Sequence, residues 1–324
     1  MNPTRRHPRI SLGVYPTPLH RAMRLRDDAS LLLKRDDLTG FGLAGNKARP
    51  LEFLIADALA RECDIVVTGG APTSNFAGAC AQASFVAGLA CEVLVASGPA
   101  SSVPVRLARA CDASVRPVEC DRSLIDDAIE RRAGELEAQG RRPYAVPRGG
   151  ATAVGALGFA DAAFEVRAQL DDLGVDPARA TIVLPAGSGA SLAGFLAGGA
   201  AMGVDWRVVG VSVSRPAAQM CDHVVALSTA CSALMGTSPA RADSFTLVDR
   251  TSDDHARDDD GGGARVMREA EGILLEPHYG VPAFDVAMEL HATDREPVVL
   301  WQTGGLPAAI EFLGVSDSCV MGRQ

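Results

Sequence analysis

Only two of the 31 basic residues in this chain are lysines, Lys34 and Lys47; the other 29 are arginine. Arginine keeps its proton in a protein and so cannot form an imine, whereas a desolvated lysine can. For Lys34, drift in composition accounts for the residue type as well as any task does. Lys47 stands in a more telling place. It follows the glycine-containing loop Phe41-Gly42-Leu43-Ala44-Gly45-Asn46, and apolar residues at 51, 54, 55, 58 and 59 announce a helix just after it. The partial positive charge of that helix's N-terminus disfavours an ammonium and helps to lower the lysine pKa.

Three further segments combine small and polar residues with strand-to-helix junctions. Gly187-Ser188-Gly189-Ala190-Ser191 follows an apolar run and opens a helix. Backbone N–H groups at such a place can close round a phosphate, although the loop taken alone reads equally as a tight turn. Its GxGxxxxG spacing is not the dinucleotide fingerprint, and no lysine completes a P-loop. Thr73-Ser74-Asn75 offers amides for a substrate carboxylate and an amide side chain for an oxygen; alone it reads as a helix N-cap. Gln302-Thr303-Gly304-Gly305 closes another strand. Open α/β sheets bind ligands at the carboxyl ends of their strands, so three such loops and a loop-borne lysine point to one crevice. An imine-forming lysine beside a phosphate cradle, without a nucleotide motif, suggests pyridoxal 5'-phosphate.

The elements that must position these loops alternate. Strands are expected at 29–34, 64–68, 91–96, 181–184, 207–212 and 298–301, and helices from 51 onward, at 76–88, 123–139 with Ser123 as N-cap, at 159–170, and after 191. Short apolar runs alternating with helices argue for βαβ units, parallel sheets and an α/β fold. Glycines at 149, 150, 155 and 158 mark an expected lobe boundary. The acidic, glycine-rich stretch 253–263 reads as a solvated mobile loop, with a carboxylate metal site as the other reading.

Composition bounds the rest. A chain of 324 residues suggests two domains or lobes. A net charge of −9 with no basic cluster argues against a general nucleic-acid binder. No apolar run is long enough for a membrane span, and no signal-peptide core follows the basic N-terminus. The eight cysteines show neither a CxxC pair nor metal-ligand spacing, which is consistent with free buried thiols in a reducing cytoplasm.

The motifs Lys34-Arg35-Asp36-Asp37-Leu38-Thr39-Gly40, Gly45-Asn46-Lys47-Ala48-Arg49, Thr73-Ser74-Asn75, Leu157-Gly158-Phe159, Glu271 to Pro277 and Thr303-Gly304-Gly305 together resemble those of fold-type II pyridoxal-phosphate enzymes. The nearest resemblance is to the D-cysteine desulfhydrase and 1-aminocyclopropane-1-carboxylate deaminase family. It runs from Tyr15-Pro16-Thr17-Pro18-Leu19 to Gly305. It implies a two-lobed fold of the tryptophan synthase β type, each lobe an open, mostly parallel sheet flanked by helices. Residues 1–50 and 155–324 would form the large cofactor-binding domain and 51–154 the small one. It implies that Lys47 is the Schiff-base lysine and proton carrier, that Asn75 bonds the cofactor's phenolic oxygen, that Gly187, Ser188, Gly189, Ala190 and Ser191 hold its phosphate, and that Thr303 faces the pyridine nitrogen. Thr73, Ser74, Asn75, Phe76 and Tyr279 would surround a small amino-acid substrate, with Ser74 and Tyr279 joining Lys47 in catalysis. A cytoplasmic homodimer is also implied.

Four departures from the family pattern matter. Pro50 stands where a basic residue near the phosphate is usual, Phe76 where His or Gln is, and Gly280 where the deaminase has Glu and the desulfhydrase Thr. A Gly-Tyr-Gly segment is replaced by the acidic stretch near Asp258. Without a carboxylate at 280 the pyridine ring is expected to stay neutral. That suits β-elimination or β-replacement better than cyclopropane ring opening. The alternatives are a non-catalytic cofactor- or amino-acid-binding protein on the same scaffold, a racemase, or the deaminase itself.

Overall fold

The computed structural model describes residues 2–25, 30–98, 101–251, 262–293, 296–311 and 313. Two sheets organise them. The first has six strands in the order β1 (Leu19–Arg21), β2 (Leu31–Arg35), β10 (Val298–Gln302), β7 (Thr181–Ala186), β8 (Arg207–Ser212) and β9 (Phe245–Asp249). All neighbours are parallel except the edge pair β1–β2. The second is wholly parallel, in the order β5 (Ser114–Val118), β4 (Ala90–Ala96), β3 (Ile65–Gly70) and β6 (Pro143–Val146).

Strand alternation decides which face of the six-stranded sheet each side chain joins. Leu32, Ile182, Leu184, Val208, Val299 and Trp301 join one core. They meet α5 (Ala153–Asp172), α6 (Ala190–Met202) and α7 (Ala217–Met235) there. Leu31, Leu33, Val183, Val209, Val298 and Leu300 face the other way, against α8 (Gly263–Glu271) and α9 (Gly280–Thr293). Burial on both faces is why these strands read as unbroken apolar runs rather than alternating ones. The smaller sheet is covered by α1 (Ala48–Ala60) and α2 (Asn75–Val86) on one side of its core, and by α3 (Val103–Ala110) and α4 (Ile125–Ala138) elsewhere.

Two expectations need correction. Ser123 does not cap a helix: Asp121 accepts its N–H at 2.8 Å to cap a 3-10 turn, and α4 begins only at Ile125. The glycines at 155 and 158 do not lie in a boundary loop. Thr152 caps α5 by accepting from Gly155 N at 3.1 Å, and the helix starts at Ala153. The small residues let helices approach: a Cβ on Gly158 would lie 2.5 Å from the Arg49 carbonyl oxygen. Pro50 is buried in the first turn of α1, where its backbone nitrogen would lie 2.6 Å from a Cβ on Gly158. Of the acidic stretch, residues 252–261 lie outside the described residues. No cluster that could hold a metal ion occurs among the described ones. Seven cysteines are described and all are free; Cys80, Cys91 and Cys231 are buried and the other four half-buried, while Cys319 lies outside the described residues. No described helix is long and apolar enough to cross a membrane.

Candidate active site

The loops singled out by their chemistry leave the carboxyl ends of parallel strands. Gly187 follows β7, Thr303 follows β10 and Thr73-Ser74-Asn75 lies beyond β3. Lys47 closes a 3-10 turn, Gly45–Lys47, and is the N-cap of α1. The backbone carbonyl of Thr303 accepts from Asn46 N at 2.8 Å, and the Asn46 side chain reaches Ser191 Oγ at 3.5 Å. Asn46, within Lys47's own turn, therefore ties it to two of the three loops.

Lys47 is embedded in protein with part of its surface open. Desolvation lowers its pKa from 10.5 to about 8, against the opposing pull of Glu276 and Asp36. Burial, rather than the helix N-terminus invoked from the sequence, is thus the leading cause. A half-unit to one-unit excess of pH over that value leaves the amine mostly neutral and nucleophilic.

At the phosphate-cradle candidate, Gly189 takes a left-handed conformation (φ +85°) as N-cap of α6, and no side chain caps the helix. The first-turn N–H groups are left to an anion. Tyr279 packs over this loop: a Cβ on Gly187 would lie 2.7 Å from the tyrosine Cε1. Two side chains brace the loop from behind. Ser214 Oγ donates to the Gly187 carbonyl at 2.6 Å, and His223 Nε2 lies 3.0 Å from the Ser188 carbonyl. From the other sheet's side, Gly149 abuts Ser188, whose Oγ would lie 2.5 Å from a Cβ there.

Ser74 is the N-cap of α2, accepting from Ala77 N at 3.3 Å, so the capping reading of this segment holds. Thr73 is exposed and Asn75 half-buried. Asn75 lines a small pocket with Leu43, Pro104 and Pro307, which sets the start of α2 opposite the segment after Thr303. Phe76 is placed differently: it is 3% exposed and packs under Gly150 in the core shared by α1 and α2.

Glu276 carried no role in the sequence reading. It is 2% exposed and accepts from the backbone N–H groups of His278 (3.0 Å), Tyr279 and Gly280 (2.8 Å). It thereby fixes Tyr279 at the start of α9. Burial pushes its pKa up to about 7 in spite of those donors and of Lys47. An acidic residue just ahead of a helix is the signal that marks it.

The profile of the family described as "Pyridoxal-phosphate dependent enzyme" matches residues 10–304. The chain belongs to this family. A D-cysteine desulfhydrase of Salmonella newport is 32% identical over 95% of the chain and 97% of its own length. A Pyrococcus abyssi protein provisionally named 1-aminocyclopropane-1-carboxylate deaminase is 33% identical, covering 95% and 94%. The crystal structure of an ACC deaminase homologue superposes with a TM-score of 0.83 at 29% identity, over 94% of both chains. Escherichia coli diaminopropionate ammonia lyase, at 18% identity and TM-score 0.66 over 93% and 86%, shares the fold. The fold is that of the fold type II pyridoxal-phosphate enzymes. The site fits the family's cofactor on its own chemistry: an uncapped helix N-terminus for a phosphate, a glycine where a side chain would strike Tyr279, and a lysine whose pKa burial lowers to about 8.

Proposed function

We propose that this chain is a pyridoxal-phosphate dependent lyase that carries out β-elimination or β-replacement on a small amino acid. It would be similar in reaction to D-cysteine desulfhydrase but with its own substrate pocket. The observation that carries the reading is the tie between Lys47's turn and the loops at Thr303 and Ser191, with the amine embedded and its pKa lowered to about 8. When bound, the cofactor supplies an electron sink for charge developing at a substrate carbon.

The chain's own residues then divide the work. Lys47 would hold the cofactor through its aldehyde, and its Nζ, when neutral, would take the substrate's α-proton. The amides from Gly187 to Ser191, including Ser188, Gly189 and Ala190, hold the phosphate, with Ser214 and His223 bracing their carbonyls. Asn75 would meet the cofactor's phenolic oxygen. Thr303 would offer the pyridine nitrogen only a hydroxyl, a setting that suits loss of a β-substituent. Thr73 and the Ser74 hydroxyl orient the substrate carboxylate. Tyr279, held by Glu276, walls the pocket above Gly187. Phe76 shapes the floor under α2 from within the core. Residues 51–154 act as a small domain against 1–50 and 155–324, closing the cleft over the substrate. The free thiols support a reducing cytoplasm as the place of action, and a homodimer follows from the family resemblance; light scattering tests the latter.

The test is spectroscopic. The protein should carry a visible absorbance band that hydride reduction abolishes and that Lys47→Ala lacks. Incubation with D- and L-amino acids bearing a β-leaving group should release keto acid and ammonia. Normal turnover by Lys47→Ala would refute the proposal.

A further inference from the structure

Lys34, the chain's other lysine, is wholly buried. Its Nζ donates to the Thr17 carbonyl at 2.7 Å and to Gln169 Oε1 at 2.7 Å, and pairs with Glu165. Arg49, 1% exposed, forks onto Asp36 (2.8 and 2.7 Å) and onto Glu165 (3.0 and 2.9 Å). Asp36 also accepts from Thr17 Oγ1 and from Trp301 Nε1, both at 2.8 Å. Two cations and two carboxylates thus form a hydrogen-bonded quartet in the interior, Lys34 and Asp36 at its ends meeting through Thr17. Arg49 holds both carboxyls below their ordinary range, so the two carboxylates stay ionised, while burial lowers the pKa of Lys34.

Such a cluster is a poor way to gain stability. Desolvating the charges costs about what their attraction returns, and apolar side chains of similar size serve as well or better. What the quartet has that apolar packing lacks is direction: a planar guanidinium fixes the angle and distance of each carboxylate. Its location shows what that direction serves. Arg49 lies two residues after Lys47, in the first turn of α1. Trp301 lies two residues before Thr303, at the end of β10. Asp36 opens the turn after β2, the neighbour of β10, and Glu165 lies on α5, against which α1 packs through Gly158.

We propose that the Lys34–Asp36–Arg49–Glu165 quartet is a positioning device that sets Lys47 and Thr303 relative to one another. It acts through the start of α1 on one side and the indole of Trp301 on the other. The four are positioning residues, since nothing places them against the cofactor or substrate. The inference rests on the reading of Lys47 as the cofactor's lysine. It also gives Lys34 a reason to be a lysine: a compact ammonium satisfies three converging acceptors where a guanidinium would not fit.

The test compares holoenzymes. Arg49→Lys removes the fork and Glu165→Gln removes one charge with little change of shape. Val166→Ala, which opens a small cavity beside Glu165 in the same helix, serves as the control for lost stability alone. Three quantities are read: thermal midpoint, cofactor dissociation constant, and the pH midpoint of the visible band without substrate. All three variants are expected to melt earlier. Only the quartet variants should also bind cofactor at least about tenfold more weakly and shift the band's midpoint by about one pH unit, because a small misplacement of the amine weakens the bond it must make. Should Arg49→Lys not fold, Glu165→Gln decides alone. The inference is overturned if Glu165→Gln keeps wild-type affinity and midpoint, or if Val166→Ala shifts both equally. A wild-type protein without the band, or a Lys47→Ala protein that keeps it, instead overturns the reading of Lys47.

Discussion

Replacing Lys47 by methionine should make the cofactor-free protein more stable, and by an amount that depends on pH. In the folded chain burial lowers the lysine's pKa from 10.5 to about 8. A lowered folded-state pKa means that stability is present in full above 10.5 and is lost as the pH falls through about 8. At about 1.4 kcal/mol per pKa unit, the fall corresponds to about 3 kcal/mol of instability at pH 8 and below. Methionine keeps the stem's volume and has no charge to desolvate. Urea unfolding of both apoproteins at several pH values from 8 to 10.5 measures the difference. Lys47 helps to hold the Glu276 pKa down, so the comparison is made in a Glu276→Gln background, which removes that carboxyl from both proteins. The Lys47→Met protein should unfold at higher urea at pH 8, with the gap closing toward pH 10.5. A gap that is absent at pH 8, or constant with pH, would show that the amine is not held in a desolvated site.

Glu276 offers the mirror case: its folded pKa is raised from 4.5 to about 7, so its contribution is whole below 4.5 and lost as pH rises through 7. Glu276→Gln should therefore gain stability relative to wild type as pH rises from 5 to 8; parallel unfolding curves at the two values would contradict this. Gly187→Ala puts a Cβ 2.7 Å from Tyr279 Cε1 and should weaken cofactor binding by at least about tenfold, read by fluorescence titration. Lys34→Arg forces a larger, planar group into a site with no exposed surface and should cost about 1–3 kcal/mol, read from the urea midpoint.

The parallel strands and the loops after them were legible because each is a run of buried Val, Ile and Leu ended by small residues. β7 is buried at every position and β8 at every position after Arg207. Strands with less burial escaped it: β5 and β9 have no buried residue, so their sequences do not stand out. The start of α5 was misread because glycine has two uses, loop freedom and close helix approach, and spacing alone does not separate them. At the site, Lys47, Thr303 and the 187–191 turn were visible one at a time through residue type. Their neighbours Asp36, Arg49, Glu165 and Glu276 were not. A charged residue that will be buried and paired looks the same in sequence as one on a solvated face, until a partner 116 residues away is brought to it.

The order of strands in the larger sheet bears on when the protein can first work. β10 is the last strand among the described residues, yet it lies between β2 and β7. During synthesis the early strands β2 and β7 must wait, each with an unpaired edge, until the segment Val298–Gln302 has left the ribosome. Only then can Thr303 offer its carbonyl to Asn46. Capture of the cofactor consequently waits for the segment Val298–Gln302, long after Lys47 has been made.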